Sequence, residues 1–268
     1  MSRVWSGLNR AILVAVLLAG CLVLMGAPAA HAGATIVQHT NANIGSTPAT
    51  SITFNFVGAV TSGDVVVFSV AADACCVPIS ASDSFGSSYS SVTATGSFPL
   101  GQDIFYATLG KSGTDMIKAT FSNPDSHVAI YAFEVSGVTT AGATTRTGSG
   151  PNPSSSAATS SVTFQSGAFL FGVVFTDAIV ITQGSGFTPT SFLQFSYGES
   201  AISGVSSPTT FPWTLGCGSS ECDTAYAEAG IALNPSTPIP EYPMGLIILS
   251  VFMILAYTMI RRRTHILN

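Results

Sequence analysis

Alternation with a period of two runs through the middle of this chain. Ile52, Phe54 and Phe56 alternate with Thr53 and Asn55, and Ile117, Ala119 and Phe121 alternate with Met116, Lys118 and Thr120. That spacing puts the apolar residues on one face of a strand and the polar ones on the other. Val65 to Val70 and Ala168 to Phe175 are apolar almost throughout, as expected of strands buried on both faces. Val128 to Val135, with Tyr131 and Phe133 on one face, and Tyr226 to Leu233 add two more. Ser62-Gly63, Asn123-Pro124-Asp125 and Ser185-Gly186 supply turns between these runs. No window carries a helical period. The pattern predicts an all-β fold: one large β-sandwich over residues 33–234, with on the order of ten strands or more.

One stretch breaks the pattern. Thr139 to Ser161 holds Gly, Ser, Thr and Pro and almost nothing apolar, so it reads as a long crossover or surface loop of that sandwich. A boundary between two smaller β domains is the alternative. Its composition also suits O-glycosylation.

Both ends of the chain are addresses. Arg3 and Arg10 precede an uncharged run from Ala11 to Met25 and a small-residue site, Ala30-His31-Ala32. That is the layout of a signal peptide, residues 1–32. Leu18-Ala19-Gly20-Cys21 competes with it as a lipoprotein box, with Cys21 as the lipidated residue. At the other end a proline-rich stalk, residues 235–243, leads into the apolar segment Met244 to Ile260. This has 17 residues and no charge, the short end of a membrane span. Arg261, Arg262 and Arg263 follow in the tail, residues 261–268. Three arginines stay on the cytoplasmic side, which puts residues 33–240 outside.

Charge sharpens this picture. Between Gly33 and Pro240 only Lys111, Lys118 and Arg146 are basic, against twelve acidic residues, a net of −9. Such a surface repels phosphate backbones, so nucleic acid is not an expected partner. Cys75, Cys76, Cys217 and Cys222 remain in the exported part, where disulfides are favoured. The simplest pairing closes a short loop between Cys217 and Cys222, with Cys75 and Cys76 bridged vicinally or free. Cross-pairing of the two clusters is the alternative. No histidine stands beside either cluster, so zinc is not expected.

Candidate chemistry is sparse. His39 and His127 are the only histidines of the exported part, and no nucleophile elbow is present. Asp73 and Asp83 flank the Cys75-Cys76 loop and could offer oxygens to Ca²⁺, or simply cap turns. Trp213, Phe211 and Tyr197 could form an exposed platform for a sugar ring, or fill the core. A hydrolase would need two carboxylates converging in a cleft, and Glu134 and Glu199 are the first to examine.

Pro240-Glu241-Tyr242-Pro243, the apolar segment and the arginine triplet together resemble the PEF-CTERM type of sorting signal, a cousin of PEP-CTERM, found on archaeal surface proteins. The resemblance covers about thirty residues; Tyr242 stands where that family usually has Phe. It implies cleavage near the Pro-Glu motif by an archaeosortase, a membrane-embedded cysteine transpeptidase, and transfer to a new anchor. It is silent on activity. The strand order from Gly63 to Gly137 and on to Leu233 is similar to secreted jelly-roll or lectin-like modules, which vary in ligand. The chain therefore reads as a non-catalytic, membrane-anchored surface protein with a structural or adhesive role. Its expected partners are the membrane, the export machinery, an archaeosortase, and envelope glycans or neighbouring surface proteins. A carbohydrate-binding module is the alternative, and a secreted hydrolase the third reading.

Overall fold

The computed structural model describes residues 33–236, apart from 46, 74–77, 96–99, 151–154, 177–179, 194–195, 203–204 and 217–225. The expected signal peptide, sorting motif and membrane segment, the arginine triplet, and Cys75, Cys76, Cys217 and Cys222 lie outside the described residues. Every helix or strand among the described residues is a strand. The first eight are β1 (Thr35–Asn43), β2 (Ala49–Asn55), β3 (Val65–Asp73), β4 (Pro78–Asp83), β5 (Ser90–Thr95), β6 (Leu100–Thr108), β7 (Met116–Asp125) and β8 (Ala129–Ser136). The second eight are β9 (Thr144–Gly150), β10 (Ser156–Ala158), β11 (Phe169–Thr176), β12 (Val180–Gln183), β13 (Thr188–Leu193), β14 (Ser196–Ala201), β15 (Pro212–Gly216) and β16 (Tyr226–Leu233).

The two sets share one topology. Strands β1-β8-β3-β6-β5 form a five-stranded sheet and β2-β7-β4 a three-stranded one. Adding eight to each number gives the other two sheets, β9-β16-β11-β14-β13 and β10-β15-β12. The registers agree as well. Val65 pairs with Val135 as Phe169 pairs with Leu233, and Val66 pairs with Ala107 as Leu170 pairs with Ala201. Gly63 and Gly167, one residue before the aligned Asp64 and Ala168, turn with φ of 93° and 82°, a conformation that favours glycine.

This corrects two expectations. The described residues hold four sheets, in two sandwiches of equal topology, where one sandwich was expected. Thr139 to Ser161 is not a bare loop either, because it contains β9 and β10, the opening strands of the second repeat. Both are edge strands. An edge strand needs little apolar sequence, since its neighbour supplies the hydrogen bonds and one side meets solvent.

Three apolar layers separate the four sheets. Within the first sandwich Val66, Phe68 and Val70 of β3 meet Phe54 of β2 and Ile117, Ala119 and Phe121 of β7. Between the sandwiches, Val65, Val67, Tyr131, Phe133 and Val135 pack on Phe169, Phe171, Val173, Ala229 and Ile231. Phe133 lies 5.4 Å from Phe169 and 5.1 Å from Phe171, centroid to centroid, and the Tyr131 hydroxyl donates to the Ser196 carbonyl at 2.7 Å. The seam is pinned at one end by an antiparallel bridge between Val138 and Pro235. There the Thr139 N–H donates to Asn234 O at 3.0 Å and the Ser236 N–H to Gly137 O at 2.9 Å. These segments follow the equivalent strands β8 and β16, so the seam is locally two-fold, as in an isologous dimer.

The third layer lies inside the second sandwich. Phe211 is fully buried and its ring lies directly on the backbones of Gly172 and Gly230. A methyl group at Gly230 would collide with that ring. Gly230→Ala is therefore expected to lower stability by about 1–3 kcal/mol, read as a lower denaturant midpoint at unchanged slope. A loss below about 0.5 kcal/mol, the range of an ordinary surface change, would mean that the ring is seated elsewhere.

Candidate functional site

The most distinctive chemistry of the described residues sits in that third layer. On β14 the alternation turns Tyr197, Glu199 and Ala201 toward the three-stranded sheet, and on β16 it turns Tyr226, Glu228 and Ala232 the same way. Strand β11 runs between them. Glu199 pairs with Gly172 on one side of it, and Glu228 with Val174 on the other. Both carboxyls have 0% exposure. Glu199 Oε2 accepts the Gly184 N–H at 3.0 Å. Glu199 Oε1, both oxygens of Glu228 and Trp213 Nε1 form no hydrogen bond among the described residues.

Burial dominates the electrostatics. It pushes Glu199 up to about 8, against a pull downward from the Gly184 N–H. Glu228 lies well above the ordinary carboxylate range, first through burial and then through the charge of Glu199. The Thr159 N–H and the Trp213 indole face Glu228 and oppose that rise without closing to hydrogen-bonding geometry. Burial of this kind favours the protonated form of both carboxyls, because an isolated charge in an apolar core is far costlier than its neutral form.

The Glu134–Glu199 pairing is not formed. Glu134 belongs to the first repeat, on β8, where it is buried and fully engaged. Its Oε1 accepts the Thr61 N–H at 2.7 Å and its Oε2 the Gln38 side-chain amide at 2.6 Å. Gln38 in turn accepts the Gly58 N–H at 3.0 Å, so the cluster clamps the loop after β2 onto β1. Asp64 beside it is raised, by burial first and then by the charge of Glu134 and a hydrogen bond shared with it. The acidic partner that Glu199 does have is Glu228, which the sequence reading passed over inside an apolar run.

Trp213, Phe211 and Tyr197 do not form a platform. Trp213 is 4% exposed and Phe211 0%, and Tyr197 is half-buried against the cluster of Trp213, Leu215 and Val174. Trp213 sits on an inward position of β15, where burying a large apolar side chain outweighs leaving it in water.

The strand registers do not bring the Asp73 and Asp83 backbones together. Asp73 pairs with Leu100 at the start of β6, whereas Asp83 pairs with Ile117 at the start of β7. The length of β6 separates these ends, roughly 25 Å at the rise of a strand. Asp83 caps the turn after β4 instead: its Oδ1 accepts the N–H groups of Phe85 at 3.1 Å and Ser87 at 2.8 Å, and its Oδ2 the Tyr89 hydroxyl at 3.2 Å. Burial alone would raise Asp83, but the bonds from Ser87, Gly86 and Tyr89 outweigh it and hold the carboxyl below its ordinary value. No group of three or more metal-ligating side chains occurs among the described residues.

Three further titratable side chains stand apart from these clusters. Asp103, fully buried in the first sandwich, is pushed up to about 6 by burial, against a smaller pull from Thr93, which does not close to hydrogen-bonding geometry. His39 lies on the exposed side of β1 with its ring 6.1 Å from that of Phe133. His127 follows Asp125, whose Oδ1 accepts its backbone N–H at 2.7 Å. No family model, curated protein or solved structure matches this chain.

Proposed function

We propose that this is a non-catalytic protein of the cell surface, exported through its N-terminal signal and held at the outer face of the membrane by its C-terminal segment. Its role is structural or adhesive within the envelope. One observation carries the non-catalytic reading: Glu199 and Glu228, the carboxyl pair nearest to an acid–base arrangement, are closed off at 0% exposure. Acid–base catalysis requires such groups within reach of a substrate proton. Asp83 caps a turn and Glu134 clamps a loop.

The addresses support the surface assignment. Pro240-Glu241-Tyr242-Pro243 with its apolar segment and Arg261-Arg262-Arg263 supports processing by an archaeosortase. The partners follow from that location: the membrane, the export machinery, and envelope glycans or neighbouring surface proteins. Mass spectrometry of both termini, on protein taken from its native membrane, tests the reading. A chain beginning at Gly33 and ending near Pro240–Pro243, with a lipid mass attached, is the expected result. An intact Asn268 would retire the sortase step and leave Met244–Ile260 as a permanent span. A chain still carrying residues 1–32 in the cytoplasmic fraction would overturn the surface assignment.

A further inference from the structure

The layer over the carboxyl pair is thin. Strands β10, β15 and β12 are 3, 5 and 4 residues long, against 8 each for β11 and β16 beneath them. We propose that this three-stranded sheet is a pH-operated latch, which closes only over uncharged Glu199 and Glu228 and releases when they ionise, uncovering Trp213 and Phe211. The latch is independent of where the protein resides.

Among the described residues no cationic side chain faces the pair. From β14 comes Glu199 itself, with Tyr197; from β16, Glu228 with Tyr226; from β15, the Trp213 indole. The Gly184 N–H after β12 and the Thr159 N–H after β10 are the dipoles that face the pair. The described part of β11 brings no charge. On β9, Arg146 pairs with Gly230, diagonal to Glu228, and is exposed. Its guanidinium is taken up by two carbonyls, Ser161 O at 3.0 Å and Thr145 O at 2.8 Å. Ionising either carboxyl therefore leaves a buried charge, and ionising both sets two like charges across one strand, which the closed layer does not tolerate.

The sign follows from linkage. Glu199 has a folded value near 8 against an ordinary 4.5. A raised acid favours the closed form fully below about 4.5, and that advantage is lost as pH rises through about 8. Over that window Glu199 shifts the closing equilibrium by up to about tenfold per pH unit, and Glu228, raised in the same direction, adds to it. Acid closes the latch and alkali opens it.

Trp213 is the reporter. In the full chain carrying Trp5→Phe, solubilised in detergent, it is the only tryptophan. Acrylamide quenching of its emission is read from pH 5 to 9.5 and back. The expected result is a reversible rise of about threefold or more in the quenching constant, together with binding of an apolar dye. The rise should weaken in Glu199→Gln and Glu228→Gln and vanish in the double variant. A flat profile in the parent chain, or the same rise in the double variant, overturns the proposal. Should the glutamine variants fail to fold, hydrogen exchange on the parent chain decides. After correction for intrinsic rates, raising the pH from 7, above the value of Asp103, to 9.5 should speed exchange in β15 and not in its equivalent β7. Equal change in both overturns the latch.

Discussion

Phe211→Ala is expected to destabilise the protein by about 3–5 kcal/mol, the upper range for loss of a buried aromatic side chain. The reason is the floor on which the ring stands. Gly172 and Gly230 are backbone only, and their close approach to the ring means that no neighbouring side chain on that floor can swing in to fill the void. The ring also packs on Phe187 at 5.6 Å, and the Phe211 N–H donates to Thr159 Oγ1 at 3.2 Å, next to the carboxyl pair. Denaturant unfolding followed by Trp213 emission checks this. The midpoint should fall while Phe211→Leu retains most of the stability. A loss below about 1 kcal/mol would show that the layer collapses over the gap, since the cost of such a cavity depends on how far its surroundings relax.

Tyr131→Ala is expected to cost a similar amount, about 3–5 kcal/mol, but at the seam between the repeats. Tyr131 is 2% exposed and belongs to the layer in which β8 meets β11 and β16. Its hydroxyl reaches across to the Ser196 carbonyl of the second repeat. Tyr131→Phe separates the two contributions: it should lose about 1–2 kcal/mol, because the Ser196 carbonyl then stays buried with a bond missing. Comparing the two variants by thermal unfolding tests the seam directly. If both were near neutral, the two sandwiches would be folding without help from each other.

The all-β character was legible because strand periodicity is local. Phe54, Ile117, Ala119 and Phe121 alternate in the sequence and all face one core. The number of sheets was not legible, since nothing in the alternation of a strand says which sheet it joins. A signal existed nevertheless: Ser62-Gly63-Asp64 before Val65 and Ser166-Gly167-Ala168 before Phe169 repeat at a constant spacing. The substitutions between the copies, Phe105 against Glu199 and Ile130 against Glu228 by register, hide the repeat where it matters most. They also locate the carboxyl pair, because each glutamate replaces an apolar residue of the first copy. Trp213 misled for the opposite reason. A ring in a Gly- and Ser-rich stretch looks exposed until the short strand that carries it is placed over a core. Asn123-Pro124-Asp125 reads as a turn, but β7 runs through it, and the partner ladder steps from Thr120 opposite Ser51 to Asp125 opposite Ala49.

The meeting of the chain's first and last described residues has a consequence for gene architecture. Ala34 donates to Gly167 O at 2.8 Å, and a methyl group placed on Gly167 would touch both Gly33 and Pro235. Gly142, at the tip of the connection between the repeats, is in an open turn with φ of 73°. A circular permutant that joins Ser236 to Gly33 through a short linker and opens at Gly142 would keep all sixteen strands in their registers. The order of the two copies along the chain would be reversed and the stack preserved, so either copy could come last in the gene.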